Sequence, residues 1–123
     1  MPVSGTVFST SGKYVTYANG LWVAVGYDIV GPNTILTSTD GVNWSPVSGT
    51  VFSTYGNYVT YANGRWLAVG DGQNTILTST DGVNWSPVAG TEFTAIGFSV
   101  AYANGRWVAV GGETASILTI SYT

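Results

Sequence analysis

Apolar and polar residues alternate along the chain in short runs, and each run ends at a turn signal. Residues 58–62 and 65–69 are rich in β-branched and aromatic side chains and flank Asn63-Gly64. Asn-Gly between two such runs is the strongest short signal for a β-hairpin, because a type I′ turn needs positive φ at both central positions. Residues 75–80 and 83–86 flank a second turn in the same way. The pattern therefore predicts four short antiparallel strands, and no segment shows a helical apolar period.

This pattern occurs three times. Residues 2–8 recur as residues 46–52 and, with two changes, as residues 87–93, so the repeats are 44 and 41 residues apart. The third repeat departs from the other two at Ile120, before the expected turn. We divide the chain into repeats 2–45, 46–86 and 87–123 of one partial domain.

Four antiparallel strands per repeat of about 40 residues are typical of a β-propeller blade. The predicted fold is therefore all-β: a β-propeller with three four-stranded antiparallel blades per chain, the last of them incomplete. A β-solenoid is the first alternative, although its repeats are usually shorter and lack two tight hairpins. A β-prism is the second.

Composition excludes several kinds of chemistry. The chain has 123 residues with no cysteine and no histidine, and only 7% of it is charged, with three basic and six acidic side chains. Thiolate zinc sites, thiol nucleophiles and histidine bases are thus excluded, and three cations do not make a nucleic-acid footprint. No apolar run approaches the roughly 18 residues of a membrane helix, and no signal peptide is predicted at the N-terminus. We expect no enzyme activity, no cofactor, no bound metal, no nucleic acid and no membrane, and the compartment stays open.

Two seven-residue motifs carry a family likeness. Residues 38–44 and 79–85, both Ser-Thr-Asp-Gly-Val-Asn-Trp, resemble the Asp-box of sialidase-type β-propellers, except that glycine follows aspartate directly. The whole repeat is similar to propeller repeats of bacterial and phage-tail-type proteins, and to symmetric propellers designed from such repeats. The likeness implies the fold rather than an activity, because the Asp-box is a structural hairpin.

The residue types suit a structural turn. The aspartates accept backbone N–H bonds, the glycines supply positive φ, and the tryptophans begin the outer strand and cover the hairpin. The predicted turn residues are Asp40, Gly41, Trp44, Asp81, Gly82 and Trp85.

Three blades cannot close a ring, since propellers typically have about 4–8 blades. We therefore predict a cyclic homo-oligomer whose chains join head to tail. A homotrimer with nine blades is preferred, because the resemblance is to repeats that build wide rings, and a homodimer with six blades is the alternative. We also expect residues 2–5 to pack beside residues 117–122 of the neighbouring chain.

The acidic loops are the best candidates for a ligand site. Each loop after the second strand of a repeat carries one carboxylate, from Asp28, Asp71 or Glu113, with Tyr27 beside the first. In a ring they would form a circle that could bind sugar hydroxyls or a hard cation, but charges that keep the protein in solution are the favoured explanation. The sequence thus predicts a self-assembling structural propeller without catalytic activity, either engineered or a fragment of a larger propeller. The alternative is a multivalent carbohydrate-binding, lectin-like propeller.

Overall fold

The computed structural model describes residues 2–88, 93–112 and 116–120, and these residues form strands and turns without a helix. They contribute to one curled, mixed sheet shaped like half a barrel. Its thirteen strands are β1 (Ser4–Gly5), β2 (Ser11–Ala18), β3 (Leu21–Tyr27), β4 (Ile35–Ser38), β5 (Asn43–Pro46), β6 (Ser48–Gly49), β7 (Tyr55–Ala62), β8 (Arg65–Asp71), β9 (Ile76–Ser79), β10 (Asn84–Pro87), β11 (Ile96–Ala103), β12 (Arg106–Gly112) and β13 (Ile117–Ile120).

The Asn-Gly turns form the predicted hairpins. Asn19, Asn63 and Asn104 all have φ of 53°, and the glycine after each of them also has positive φ. These angles match the twist of the flanking strands, so β2 pairs with β3, β7 with β8, and β11 with β12 in antiparallel register.

Each repeat folds as an antiparallel meander. We name these meanders unit 1 (β2 to β5), unit 2 (β7 to β10) and unit 3 (β11 to β13). Neighbouring units are joined in the sheet by single residue pairs, Tyr27 with Tyr55 and Asp71 with Ile96. Most contact between units is therefore made by their side-chain faces.

Two short strands make the sheet mixed, which the all-antiparallel prediction did not include. Strand β1 pairs in parallel with β5, and β6 pairs in the same way with β10. A two-residue strand is too short to show alternation in a sequence. Its glycine has φ of 87° and leaves no space for a Cβ beside the backbone of the tryptophan it faces.

The N-terminal segment also pairs within the chain, where Ser4 and Gly5 lie beside Asn43 and Trp44. Its expected contact with the last strand of a neighbouring chain stays a prediction. The Ser4 N–H donates to the carbonyl of Val42 at 2.7 Å, which adds to the pairing within the chain.

The core consists of two apolar layers, one at each junction between units. In the first layer, Val23, Val25 and Ile35 of unit 1 meet Phe52, Val59, Trp66, Ala68, Leu77 and Trp85. In the second layer, Leu67, Val69 and Ile76 of unit 2 meet Val88, Phe93, Val100, Trp107, Ala109 and Ile120. Unit 2 is therefore covered on both faces, which explains why its strands are apolar on both sides.

Candidate functional site

Asp28 begins the first acidic loop, directly after β3, and its carboxylate accepts hydrogen bonds from within the chain. The Ser9 hydroxyl donates to its Oδ1, and the Asn33 N–H donates to its Oδ2 at 3.1 Å. The bond from Ser9 is the main reason why the pKa of Asp28 lies below its ordinary value. This carboxylate folds the loop, which is inserted in repeat 1, back onto the chain segment before β2.

Tyr27 and Asp71 meet around a residue that the sequence did not single out, Tyr55. The Tyr55 ring meets the Tyr27 ring edge-on at 5.8 Å between centroids. Burial and the neighbouring Asp71 carboxylate, which is hydrogen-bonded to Tyr55, raise the pKa of that tyrosine. The Lys13 ammonium lies 4.9 Å from the centre of the same ring. Tyr55 begins β7 and reaches the cluster because β3 pairs with β7 at Tyr27 and Tyr55, so no local sequence signal identifies it.

The structure thus brings together one side-chain cluster and gives Asp28 and Asp71 different hydrogen-bond partners. Tyr27, Tyr55, Asp71 and Lys13 form the cluster, whereas Asp28 is occupied by its own loop. Glu113 lies outside the described residues. Within the described ranges, no three acidic side chains are grouped as a metal site would require.

The Asp40 carboxylate organises the first Asp-box-like turn. Its Oδ1 accepts from the backbone N–H groups of Val42 and Asn43 at 2.9 and 2.8 Å, and its Oδ2 accepts from the Asn43 amide. These bonds, led by the one from the Asn43 backbone, hold the pKa of Asp40 far below its ordinary value. Gly41 has φ of 80°, and its carbonyl accepts from the Trp44 indole at 3.2 Å.

The second turn repeats this geometry. Asp81 accepts from the backbone of Val83 and Asn84 at 2.9 and 2.8 Å, and the bond from Asn84 is the largest cause of its strongly lowered pKa. Gly82 has φ of 81° and accepts from the Trp85 indole at 2.8 Å. Trp85 is 2% exposed and belongs to the core. Trp44, at the same position in unit 1, is only half-buried.

That difference extends over both outer faces of the structure. We call the face of unit 1 that points away from unit 2 the leading face, and the face of unit 3 that points away from unit 2 the trailing face. An apolar groove of about 280 Å³ on the leading face is lined by Val3, Thr6, Val7, Phe8, Val15, Ala24, Leu36 and Trp44. The trailing face exposes Val108, Val110 and Ile117 by 36, 40 and 66%.

The chain matches no protein-family model, and no relative is found among curated proteins. Across residues 2–88, 93–112 and 116–120, no helix is long and apolar enough to cross a membrane.

Proposed function

We propose that the protein is a self-assembling structural β-propeller scaffold without catalytic activity. Three meanders of the chain would be three blades, and copies would join head to tail until the ring closes. The likeness to Asp-box propeller repeats supports the blade assignment, as do the two apolar layers between successive units.

The observation that carries the proposal is that equivalent residues are buried inside the chain and exposed at its ends. On the leading side of each unit, Val59 and Val100 are 0 and 2% exposed, whereas Val15 is 50% exposed. On the trailing side, Ile35 and Ile76 are fully buried, whereas Ile117 is 66% exposed. The two outer faces therefore carry, in exposed form, equivalents of the residues that are buried at the junctions within the chain.

Burial at such a junction stabilises an assembly strongly. Covering one valine, leucine or isoleucine fully contributes about 1.5–3 kcal/mol, and each outer face exposes several such side chains. Two different faces that fit each other make a heterologous contact, which gives a ring where the rotation closes.

The carbohydrate-binding alternative has less support. The Asp28 carboxylate is occupied by Ser9 and Asn33, and Asp71 is hydrogen-bonded to Tyr55. A sugar would have to compete with these internal partners. Glycan-array binding that is lost in Asp71→Ala would favour the lectin over the scaffold.

A charge placed on either outer face tests the scaffold. Val15→Asp and Val108→Asp should each convert the assembly to single chains in size-exclusion chromatography with light scattering, because a buried, unpaired carboxylate is costly. Val83→Asp is the matched control, since Val83 is also exposed, by 37%, but lies in the turn of unit 2. Unchanged masses for Val15→Asp and Val108→Asp would contradict the proposal.

A further inference from the structure

We infer that the junction between copies has one register, in which Val110 of one copy packs on Gly12 of the next and Arg106 covers Gly41 and Trp22. This inference rests on the proposed self-assembly and adds the contacts that align the two faces. The partner is a second copy of this chain, and the argument comes from two contacts between units, one seen at both junctions and one seen between units 1 and 2.

The first contact is a valine that packs on a glycine of the following unit. A Cβ added to Gly56 would lie 2.7 Å from the Cβ of Val25, and a Cβ added to Gly97 would lie 2.7 Å from the Cβ of Val69. Such distances leave no room for any side chain. Both glycines are buried, so each valine closes against bare backbone.

Gly12 is the equivalent glycine of unit 1, and no such valine contacts it among the described residues. Within that part of the chain, a Cβ at Gly12 would meet only the ring of Phe8, before β2, at 3.6 Å, and Gly12 is exposed. Its φ lies outside the left-handed region, so the backbone of this chain does not require glycine there. Val110, at the position of Val25 and Val69, is 40% exposed on the trailing face. The free valine and the free glycine are the two halves of the recurring contact.

The second contact covers the Asp-box turn. The Leu21 side chain of unit 1 would meet a Cβ on Gly82 at 2.5 Å, and the Trp66 Nε1 lies 3.1 Å from the same point. Around Gly41 of unit 1, the three atoms nearest to the corresponding point all belong to the Trp22 indole of the same unit, at 3.2 to 3.7 Å. Trp22 is half-buried, whereas Trp66 is fully buried. The cover over this turn is therefore missing in unit 1.

Arg106 has the position of Leu21 in unit 3, and it is exposed on the trailing face. In the same register its guanidinium would lie over the Trp22 indole, where a cation is attracted by the ring face. The exposed Asp40 carboxylate of the same turn supplies an opposite charge beside Gly41. Apolar fit and charge therefore select one orientation of a second copy.

Gly12→Val tests the first contact. The variant should fold with the circular dichroism spectrum of the parent, because the space around Gly12 is open within one chain. Its dissociation constant should rise about 10- to 100-fold, as expected for overpacking of a close contact. Gly56→Val is the matched control, since the same clash lies inside the chain and should lower the melting temperature of the single chain.

Arg106→Glu and Arg106→Leu test the second contact. Unlike Gly12→Val, they leave every glycine of the chain unchanged. Arg106→Glu should raise the dissociation constant at least about 10-fold, because like charges then face each other at Asp40. Arg106→Leu should keep the assembly and lose its salt dependence, because leucine reproduces the contact seen at Leu21.

The outcomes separate this inference from the proposed function. If the parent assembles and both Gly12→Val and Arg106→Glu assemble equally well, the register is wrong and the scaffold stands. If Gly12→Val fails to fold, the Arg106 pair decides the register alone. If the parent is a single chain at all concentrations, the proposed function fails and the register fails with it.

Discussion

At the scale of single residues, one carboxylate organises each Asp-box-like turn. Asp40 and Asp81 each accept two backbone N–H bonds and one amide N–H bond within three residues along the chain. The turn therefore needs the ionised form of the aspartate. Ser-Thr-Asp-Gly indicated such a turn from the sequence alone, because short polar side chains and glycine favour it for known physical reasons.

Acid should weaken these turns. The folded-state pKa of Asp81 lies far below the ordinary value of 3.8, so its contribution to stability is complete above that value and is lost as pH falls through the folded pKa. The melting temperature of the protein should therefore fall steeply below about pH 4. Circular dichroism melts between about pH 2 and 7 measure this.

Asp81→Asn should lower the melting temperature at pH 7, because the amide keeps one acceptor oxygen and loses the charge. Its melting temperature should also depend less on pH in the acid range than that of the parent. Identical melting curves for parent and variant at every pH would contradict the role assigned to Asp81.

At the scale of strands and units, the sequence predicted the hairpins. It missed the features that depend on pairing with a distant strand or on packing against a neighbouring unit. Asn-Gly encodes its turn locally, so β7 and β8 could be placed from residues 58–69. Strand β1 could not be found, because its two residues are defined by pairing with β5. The repeats also hide the difference between Gly12 and Gly56, since both stand in similar sequence and only the neighbouring unit distinguishes them.

In the candidate site, too, some residues could be named from the sequence and others depend on strand pairing. Asp71 and Tyr27 could be named from the sequence, because each loop after the second strand of a repeat carries a carboxylate. Tyr55 could not, since it joins them only after the end of β3 pairs with the start of β7. The internal partners of Asp28 likewise depend on how its loop folds back.

Equivalent isoleucines in two units should respond differently to truncation. Ile76→Ala should lower the free energy of unfolding by about 2–5 kcal/mol, because Ile76 is fully buried between units 2 and 3. Ile117→Ala should change it by less than about 0.5 kcal/mol in a single chain, because Ile117 is 66% exposed.

Urea unfolding in the Val15→Asp background, where we expect single chains, separates folding from association. In the parent background Ile117→Ala should instead weaken the assembly. Equal losses of stability for the two substitutions in single chains would contradict the assignment of buried and exposed faces.

At the scale of the whole molecule, the low charge and the apolar composition agree with unit faces that are buried at the junctions within the chain, and the proposed ring would cover the two outer faces as well. Units 1 and 2 each bury their trailing valines and isoleucines against the next unit, and unit 3 repeats that face without a neighbour in the chain. Sequence repeats could predict that such faces exist. They could not determine the number of copies in a ring, because that number depends on the angle between units rather than on any local pattern.

The mass of the assembly in solution tests the central claim most directly. Sedimentation equilibrium or native mass spectrometry of the parent should show one discrete species of three chains, each of 12.8 kDa. A discrete species of two chains would keep ring closure and replace the nine-blade ring with six blades. A single chain that persists at high protein concentration would contradict the account.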